Sequence, residues 1–253
     1  MPVQAVAVIP ARFAASRFPG KPLAPIAGVP MLRRVWEGAR SAKCVRDALV
    51  ATDDARIADA ARGFGATVVM TSSEHPTGTD RIAEVARHLR DDIVVNVQGD
   101  EPLIEGFVID AAVEALVAEP SAPMATVVHA VAADALADPN RVKAVLDRRG
   151  FALYFSRAPI PFVRDASARR PPVWQHVGLY AYRREFLLEY VKLPRTPLEE
   201  TEALEQLRAL EHGHPIRVAA IEGWESLPVD VPADVAKVEA ALAARTAARG
   251  RRS

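Results

Sequence analysis

The chain has 253 residues, 50% of them hydrophobic and 25% charged, which is the balance of a folded globular protein and not of a disordered or fibrous one. Lys plus Arg and Asp plus Glu number 32 each, so no overall charge attracts nucleic acid or an anionic membrane, and any polyanion site must be local. The single cysteine, Cys44, excludes an internal disulfide, and the sequence has neither a signal-peptide pattern nor a run of about 18 apolar residues. We therefore expect a cytoplasmic protein with no nucleic-acid partner and no membrane insertion.

The first hundred residues alternate short apolar runs with stretches of helical spacing. The pattern predicts strands over residues 3–9, 48–51, 66–70 and 93–97, and helices over residues 31–40, 55–64 and 82–89. Thr52 or Asp53 is the candidate N-cap of the second helix, and Gly65 its candidate stop. The apolar runs are rich in Val and Ile without strict alternation, which is typical of strands covered on both faces. This order predicts an α/β fold with a mostly parallel sheet flanked by helices.

The pattern changes in the second half of the chain. A helix is predicted over residues 107–117 and a strand over residues 124–131, and helical spacing returns at residues 184–190, 198–211 and 233–248. Between about residues 141 and 182, three strand-like runs (VKAVLD, FALYFSR and HVGLYAYR) are separated by turns and a polar loop. They predict a small antiparallel excursion from a single domain that comprises residues 1–253, since no repeat or linker divides the chain.

The segment after the first predicted strand, residues 10–23 (PARFAASRFPGKPL), concentrates cations. It holds Arg12, Arg17 and Lys21 in one loop that a Pro-Gly pair keeps from being helical throughout. Because ligands bind beyond the carboxyl ends of parallel strands, this loop suits a triphosphate. It is not a P-loop, because it lacks the first Gly of that motif and has Pro after the Lys. The absence of G-x-G-x-x-G argues against a dinucleotide oxidoreductase.

A second motif, residues 96–104 (NVQGDEPLI), follows the fourth predicted strand. Gly99 allows a sharp turn that places Asp100 at the end of the strand, with Glu101 beside it. Taken alone, such a pair is more often a helix cap or a solvated turn. Together with the cation loop it indicates a Mg²⁺ site for a nucleotide, because carboxylates are hard oxygen ligands.

Seven segments in order resemble the 3-deoxy-manno-octulosonate cytidylyltransferases, or CMP-Kdo synthetases. They are PARFAASRFPGKPL, HPTGTDRIAEV, NVQGDEPLI, ALYFSRAPIPF, QHVGLYAY, LEQLRAL and VDVPADV, and they extend over essentially the whole chain. The resemblance implies a nucleotide-diphospho-sugar transferase-like fold and a homodimer to which the excursion contributes. It also implies transfer of CMP from CTP to Kdo (3-deoxy-D-manno-octulosonate), with release of pyrophosphate, for lipopolysaccharide biosynthesis.

The same resemblance assigns roles on the nucleotide side. It implies that Arg12, Lys21 and Asp100 are catalytic, with Arg17 as a further phosphate-binding candidate, and that Asp100 and Asp230 bind Mg²⁺. The implied nucleotide-binding residues are Pro10, Ala11, Arg12, Lys21, Ser72, Thr79, Arg81 and Gln98.

On the sugar side, the residues implied are Gln98, Arg157, His176, Tyr180, Glu205 and Gln206. Arg157 would bind the sugar carboxylate through a bidentate contact. Without the resemblance, His176 would be interpreted as a structural histidine, and Glu205 and Gln206 as the solvated face of a helix.

The expected reaction is in-line attack of the Kdo 2-hydroxyl on the α-phosphorus of CTP, with Mg²⁺ bound to the triphosphate and no dedicated protein base. Asp100 and Asp230 should then converge at the carboxyl edge of the sheet. Two alternatives stay open: a cytidylyltransferase for another sugar acid, such as a sialic acid or 8-amino-Kdo, and a catalytically silent nucleotide-binding module.

Overall fold

The helices and strands follow one another along the chain as an alternating α/β succession. The computed structural model describes residues 4–14, 18–131, 136–165, 167 and 171–250. The first half contains β1 (Ala5–Ala11), β2 (Pro25–Ile26), β3 (Val29–Pro30), α1 (Met31–Arg40), β4 (Val45–Thr52), α2 (Ala55–Gly63), β5 (Thr67–Met70), α3 (Gly78–Ala86), β6 (Ile93–Asn96) and α4 (Gly106–Ala118). The second half contains β7 (Met124–Val131), β8 (Lys143–Leu146), β9 (Ala152–Ser156), β10 (Val173–Arg183), α5 (Arg184–Tyr190), α6 (Pro197–Glu202), α7 (Gln206–Glu211), β11 (Ile216–Ile221) and α8 (Asp234–Gly250).

Within these described residues, nine strands form one sheet, and β2 and β3 form a separate hairpin. The main order is β11-β7-β10-β6-β1-β4-β5. Strands β6, β1, β4 and β5 are mutually parallel, β11 is parallel to β7, and β10 runs antiparallel between β6 and β7. The sheet is therefore mostly parallel, as predicted.

Strand β10 is long enough to belong to both the main sheet and the excursion. Its second half pairs with β6, with Tyr180 opposite Asn96, whereas its first half pairs with β8, with Trp174 opposite Ala144. Since β10 runs against β6, its first half extends beyond the carboxyl end of β6. Strands β8 and β9 pair antiparallel and continue the sheet there. The predicted antiparallel excursion thus covers the carboxyl edge, where ligands of such sheets bind.

Helices cover both faces of the sheet, as the unbroken apolar runs predict. On one face, Ile9 of β1 belongs to the same buried cluster as Leu32 of α1 and Val108 of α4. On the other face, Val8 belongs to a cluster with Ile82 of α3 and Leu207 of α7. Among the described residues, no helix combines the length and apolar character needed to span a bilayer.

Two helix starts differ from the sequence prediction. The N-cap of α2 is Asp54, whose carboxylate accepts the Arg56 N–H at 2.9 Å, so the expected cap at Thr52 or Asp53 was wrong. Asp53 instead faces the protein interior. Helix α3 begins at Gly78, one residue after Thr77, whose hydroxyl accepts the Asp80 N–H at 3.2 Å, and it therefore starts before the predicted residue 82.

The predicted helix over residues 198–211 is two short helices. Ala203 separates α6 from α7 in the left-handed conformation, with φ at 50°, which no apolar periodicity reveals. Strand β11 was not predicted. It pairs along β7 from Ile216 opposite Met124 and completes the far edge of the sheet.

Candidate active site

The cation loop after β1 is held in shape by its own main chain. Gly20 has φ at 73°, a conformation that glycine adopts without steric penalty, and its N–H donates to the Phe13 carbonyl at 2.9 Å. A Cβ at Gly20 would lie 3.2 Å from the Phe13 ring. This turn leads into a 3-10 helix that begins with Lys21. The further candidate Arg17 lies outside the described residues.

Lys21 connects three distant segments at the carboxyl edge. Its ammonium donates to Asp100 Oδ2 and to the Val229 carbonyl, both at 3.0 Å. The Val229 N–H donates in turn to the Asp100 carbonyl at 2.9 Å. Because Asp230 follows Val229 directly, the loop before α8 returns across the end of the sheet, as the family resemblance implies. The segments that carry Asp100 and Asp230 therefore lie together at this edge.

Beside them, Glu101 is a buried carboxyl group. Burial raises its pKa to about 8; a hydrogen bond from the Ser226 hydroxyl opposes this rise, and the negative charges of Asp100 and Asp230 add to it. At neutral pH this group is therefore mostly protonated. The sequence placed Glu101 next to the metal candidate but gave no sign of its burial.

The loops after β1, β5 and β6 meet around Pro10. A Cβ on Gly99 would lie 3.1 Å from the Pro10 carbonyl oxygen, and one on Gly78 would lie 3.3 Å from the Pro10 ring. A Cβ at either position would be tighter than ordinary van der Waals contact, so glycine favours this close approach, which brings the cation loop beside the N-terminus of α3.

Two arginines of the predicted nucleotide side lie near each other. Arg12 donates from its guanidinium to the carbonyls of Pro76, at 3.1 Å, and His75, at 3.4 Å. Arg81 is fully buried, with Nη2 3.1 Å from Asp53 Oδ1. Burial lowers the pKa of Arg81, the Asp53 carboxylate opposes that shift, and the charge of Arg12 adds to it. The nearby Ser72 N–H donates to Glu84 at 3.0 Å.

A cavity of about 540 Å³ lies between the end of β6, the first half of β10 and the α6–α7 break. Of the predicted site residues, it is lined by Thr79, Gln98, Asp100, Arg157, His176, Tyr180, Glu205 and Gln206. Every predicted sugar-side residue thus lies on its wall, although these residues come from four separate segments. Its volume lies in the range of small-molecule sites.

Arg157 enters this cavity from the end of β9. Its guanidinium donates through Nε to the Glu202 carbonyl at 2.8 Å and through Nη1 to the Pro139 carbonyl at 3.1 Å. These contacts leave further guanidinium N–H groups for a ligand, since arginine has five.

His176 lies on the cavity wall among aromatic rings. It packs edge-on against Phe155, with ring centroids 4.9 Å apart, and its Nε2 lies 3.0 Å from the Thr126 hydroxyl. Burial lowers the pKa of His176 to about 3, so the ring is neutral at physiological pH. It can offer a hydrogen bond to a substrate but no positive charge.

Glu205 and Gln206 face the cavity at the start of α7, and neither is on a solvated helix face. Thr79 donates its hydroxyl to Glu205 Oε2 at 2.8 Å, and burial raises the pKa of Glu205. Gln206 is 4% exposed, and its side-chain Nε2 is buried without a hydrogen-bond partner among the described residues. A buried amide in this state is suited to a polar ligand.

Comparison with known proteins identifies the family of this chain. The cytidylyltransferase family model matches residues 6–218. The chain is 53% identical to the 3-deoxy-manno-octulosonate cytidylyltransferase of Syntrophotalea carbinolica, over 93% of this chain and 97% of that protein. It is 52% identical to the protein of the same name from Geobacter sulfurreducens, over 92% of this chain and 96% of that one. The chain belongs to the 3-deoxy-manno-octulosonate cytidylyltransferase family.

Solved structures agree with this family. The chain matches the structure of a CMP:2-keto-3-deoxy-manno-octonic acid synthetase complexed with CTP, with a TM-score of 0.90 and 43% identity, over 96% of this chain and 99% of that one. It shares only its fold with a cytidylyltransferase from Leptospira borgpetersenii, at a TM-score of 0.61, 19% identity, and coverage of 94% and 85%. The predicted nucleotidyltransferase fold and family are confirmed.

For a member of this family, the structure separates the predicted residues into groups. Arg12, Ser72 and Arg81 lie outside the wall of the large cavity, around the loop at residues 71–76. Thr79, which the family resemblance assigns to nucleotide binding, donates a hydrogen bond to Glu205, which the resemblance assigns to sugar binding. Asp230 lines an adjoining cavity of about 330 Å³.

The two cavities share walls that the sequence did not identify. Asn140, Gln175, Ser226 and Pro228 line both of them. The sequence indicated such residues only through their position next to predicted site residues, since Gln175 precedes His176 and Pro228 lies two residues before Asp230.

Proposed function

We propose that this protein transfers CMP from CTP to Kdo, forming CMP-Kdo and pyrophosphate for lipopolysaccharide biosynthesis in the cytoplasm. The observation that carries the proposal is the large cavity. It brings Asp100, bonded to Lys21 of the cation loop, to the same space as Arg157, Glu205 and Gln206. A member of this family thus has charged groups for a triphosphate beside polar groups for a sugar acid.

On the nucleotide side, Arg12 and Lys21 bind and neutralise the triphosphate. Both are anchored to other loops through backbone carbonyls, so their charges are positioned before substrate arrives. Fixed charges of this kind stabilise the negative charge that develops during transfer of a phosphoryl group without reorganising. They also orient the α-phosphorus for in-line attack by the 2-hydroxyl of Kdo.

On the sugar side, Arg157 binds the Kdo carboxylate, and His176, Tyr180, Glu205 and Gln206 orient the hydroxyl groups. His176 is neutral at physiological pH and therefore contributes no positive charge to this wall, and burial raises the pKa of Glu205. The guanidinium of Arg157, which lines the cavity, can select a carboxylate.

Mg²⁺ is part of the proposal, and the donors at the carboxyl edge fit it. Asp100 Oδ2 already faces a cation, the Lys21 ammonium, and the segment with Asp230 is bonded to the Asp100 main chain. The described residues contain no group of three or more His, Cys, Asp and Glu side chains that could hold a metal. Mg²⁺ often uses one or two protein carboxylates together with substrate phosphates and water. When bound, it would neutralise phosphate charge.

We also propose that the protein is a homodimer with the excursion in its interface. Leu153 of β9 is 60% exposed and Phe162, just beyond it, is 86% exposed. Large apolar side chains that are exposed to this extent are found at interaction surfaces. Light scattering should give twice the monomer mass, and a monomer at micromolar concentration would contradict this part of the proposal.

The function is tested by pyrophosphate release from CTP with Kdo, 8-amino-Kdo and N-acetylneuraminate, each with Mg²⁺. We expect Kdo to have the highest kcat/KM. A higher value for another sugar acid would change the substrate assignment, and no release with any of them would overturn the proposed activity.

A further inference from the structure

Glu202, at the end of α6, has no role in the function proposed above. Its hydrogen bonds nevertheless hold together the part of the cavity wall that carries the predicted sugar-binding residues. Its carboxylate accepts the Ser156 hydroxyl at 2.5 Å and the Arg157 N–H at 2.9 Å. Ser156 is 2% exposed, so the carboxylate reaches into the interior. Hydrogen bonds to an ionised group are shorter and stronger than neutral ones. They join residues that are 45 and 46 positions apart in sequence.

The main chain of the same segment fixes the Arg157 guanidinium. Nε donates to the Glu202 carbonyl at 2.8 Å, and Nη2 donates to the Ala203 carbonyl at 3.4 Å. On the other side, the ammonium of the buried Lys143 donates to the Arg157 carbonyl at 2.5 Å. The position of the guanidinium in the cavity therefore depends on where residues 202 and 203 lie.

Those two residues also set the start of α7. Ala203 has φ at 50°, a conformation that is unfavourable for an L-residue other than glycine, so it persists only where surrounding contacts hold it. The hydrogen bonds that residues 202 and 203 make with Ser156 and Arg157 are contacts of this kind. Beyond this break the chain turns Glu205 and Gln206 to the cavity wall.

We propose that Glu202 is a positioning residue for the sugar acid, acting through Arg157 and through the break at Ala203. The inference rests on the proposed function, because it concerns how the Kdo half of that site is held. It assigns no contact between Glu202 and either substrate.

The test is steady-state kinetics of Glu202→Ala with both substrates varied. We expect the KM for Kdo to rise by about 10- to 100-fold, whereas the KM for CTP should change by less than about twofold. Glu202→Gln should stay within about threefold of wild type, because its amide oxygen can accept the Arg157 N–H and its NH₂ can donate to Ser156. The control is Glu200→Ala, an exposed position in the same helix, which should match wild type.

A double-mutant cycle with Arg157→Ala tests whether Glu202 acts through Arg157. If Glu202 acts mainly through Arg157, adding Glu202→Ala to Arg157→Ala should lower kcat/KM for Kdo by less than about threefold further. If circular dichroism shows that Glu202→Ala does not fold, Glu202→Asp, which is too short to make both bonds, takes its place with the same expected split between the two KM values.

Three outcomes would overturn the inference: equal rises in both KM values for Glu202→Ala, full additivity of Glu202→Ala with Arg157→Ala, or kinetics of Glu202→Ala that match those of Glu200→Ala. Wild-type protein that releases no pyrophosphate with any sugar acid would instead overturn the proposed function, and this inference with it.

Discussion

The nucleotide half of the site is formed by loops whose main chains are in contact with one another. The sugar half is formed by side chains that come from segments distant in sequence. In the first, Gly99 and Gly78 pack against Pro10, and Lys21 donates to a main-chain carbonyl. In the second, Glu202 and Thr79 bond to residues 45 and 126 positions away. A triphosphate needs many donors at fixed spacing, which loops after parallel strands supply. A particular sugar acid needs a few side chains placed individually.

The largest expected effect lies where the two halves join. Asp100→Asn and Asp230→Asn each keep the side-chain shape but remove a negative charge from the proposed Mg²⁺ site, so kcat should fall by about 10³-fold or more while the melting temperature barely changes. Pyrophosphate release at increasing Mg²⁺ concentration measures kcat, and calorimetry measures the melting temperature. The control is Asp59→Asn, whose side chain is 76% exposed on α2. Mg²⁺-dependent turnover within about tenfold of wild type in either variant would refute the two-carboxylate site.

The next effect should be confined to the sugar half. Arg157→Ala removes a charge-assisted contact to the Kdo carboxylate worth about 2 to 4 kcal/mol, so kcat/KM for Kdo should fall by roughly 30- to 1000-fold. CTP affinity, measured by calorimetry, should stay within about twofold of wild type. Arg62→Ala, at an exposed position on α2, is the control. Lost CTP affinity with unchanged Kdo kinetics would place Arg157 on the nucleotide side.

A smaller effect is expected for the choice of nucleotide, which tests the nucleotide half of the site. Because the chain belongs to a family of cytidylyltransferases, kcat/KM should be about 10- to 100-fold higher with CTP than with ATP or GTP. The measurement is initial rates of Kdo-dependent pyrophosphate release with each nucleotide at the same concentration. Comparable rates with ATP would end the assignment as a cytidylyltransferase.

The smallest effect concerns stability and the neutral His176. Its pKa in the folded protein is about 3, whereas that of an unfolded histidine is about 6.5. As the pH falls below 6.5, the unfolded chain binds a proton that the folded ring does not, so stability present above pH 6.5 is lost progressively towards pH 3. At pH 5 this loss is about 2 kcal/mol.

The His176→Gln variant should therefore lose about 2 kcal/mol less unfolding free energy than wild type between pH 7 and pH 5, as measured in urea. His88→Gln, at an exposed position, should lose as much as wild type. Equal losses in wild type and His176→Gln would show that His176 is protonated in the folded protein.

The difference between the halves also explains what the sequence could predict. The parallel strands, α1 and the carboxyl-edge position of Asp100 follow from local apolar patterns and turn residues, which act over a few positions. The convergence of Asp100 and Asp230 was expected only from the family resemblance. The structure shows that the two segments are adjacent, because the Val229 N–H donates to the Asp100 carbonyl.

Other features have no local signal. The break at Ala203 lies in hydrogen-bond contact with Arg157, 46 positions earlier in the chain, and the helical pattern of the local sequence concealed it. From the sequence alone, Glu101 is interpreted as a solvated turn residue. In the structure, the loop that contains Ser226 covers it. The cap at Asp54 was misplaced by one or two residues because three adjacent side chains, Thr52 to Asp54, are all good caps. Each case needed the tertiary fold to choose among local options.

The most direct test of the account is phosphorus NMR of wild-type protein with CTP, Kdo and Mg²⁺. If the cavity joins a triphosphate site to a sugar-acid site, the α-phosphate signal of CTP should convert to that of a phosphodiester, with one pyrophosphate formed for each sugar nucleotide, and only when Kdo is present. Unchanged CTP, or formation of CDP and phosphate in place of pyrophosphate, would contradict CMP transfer at this site.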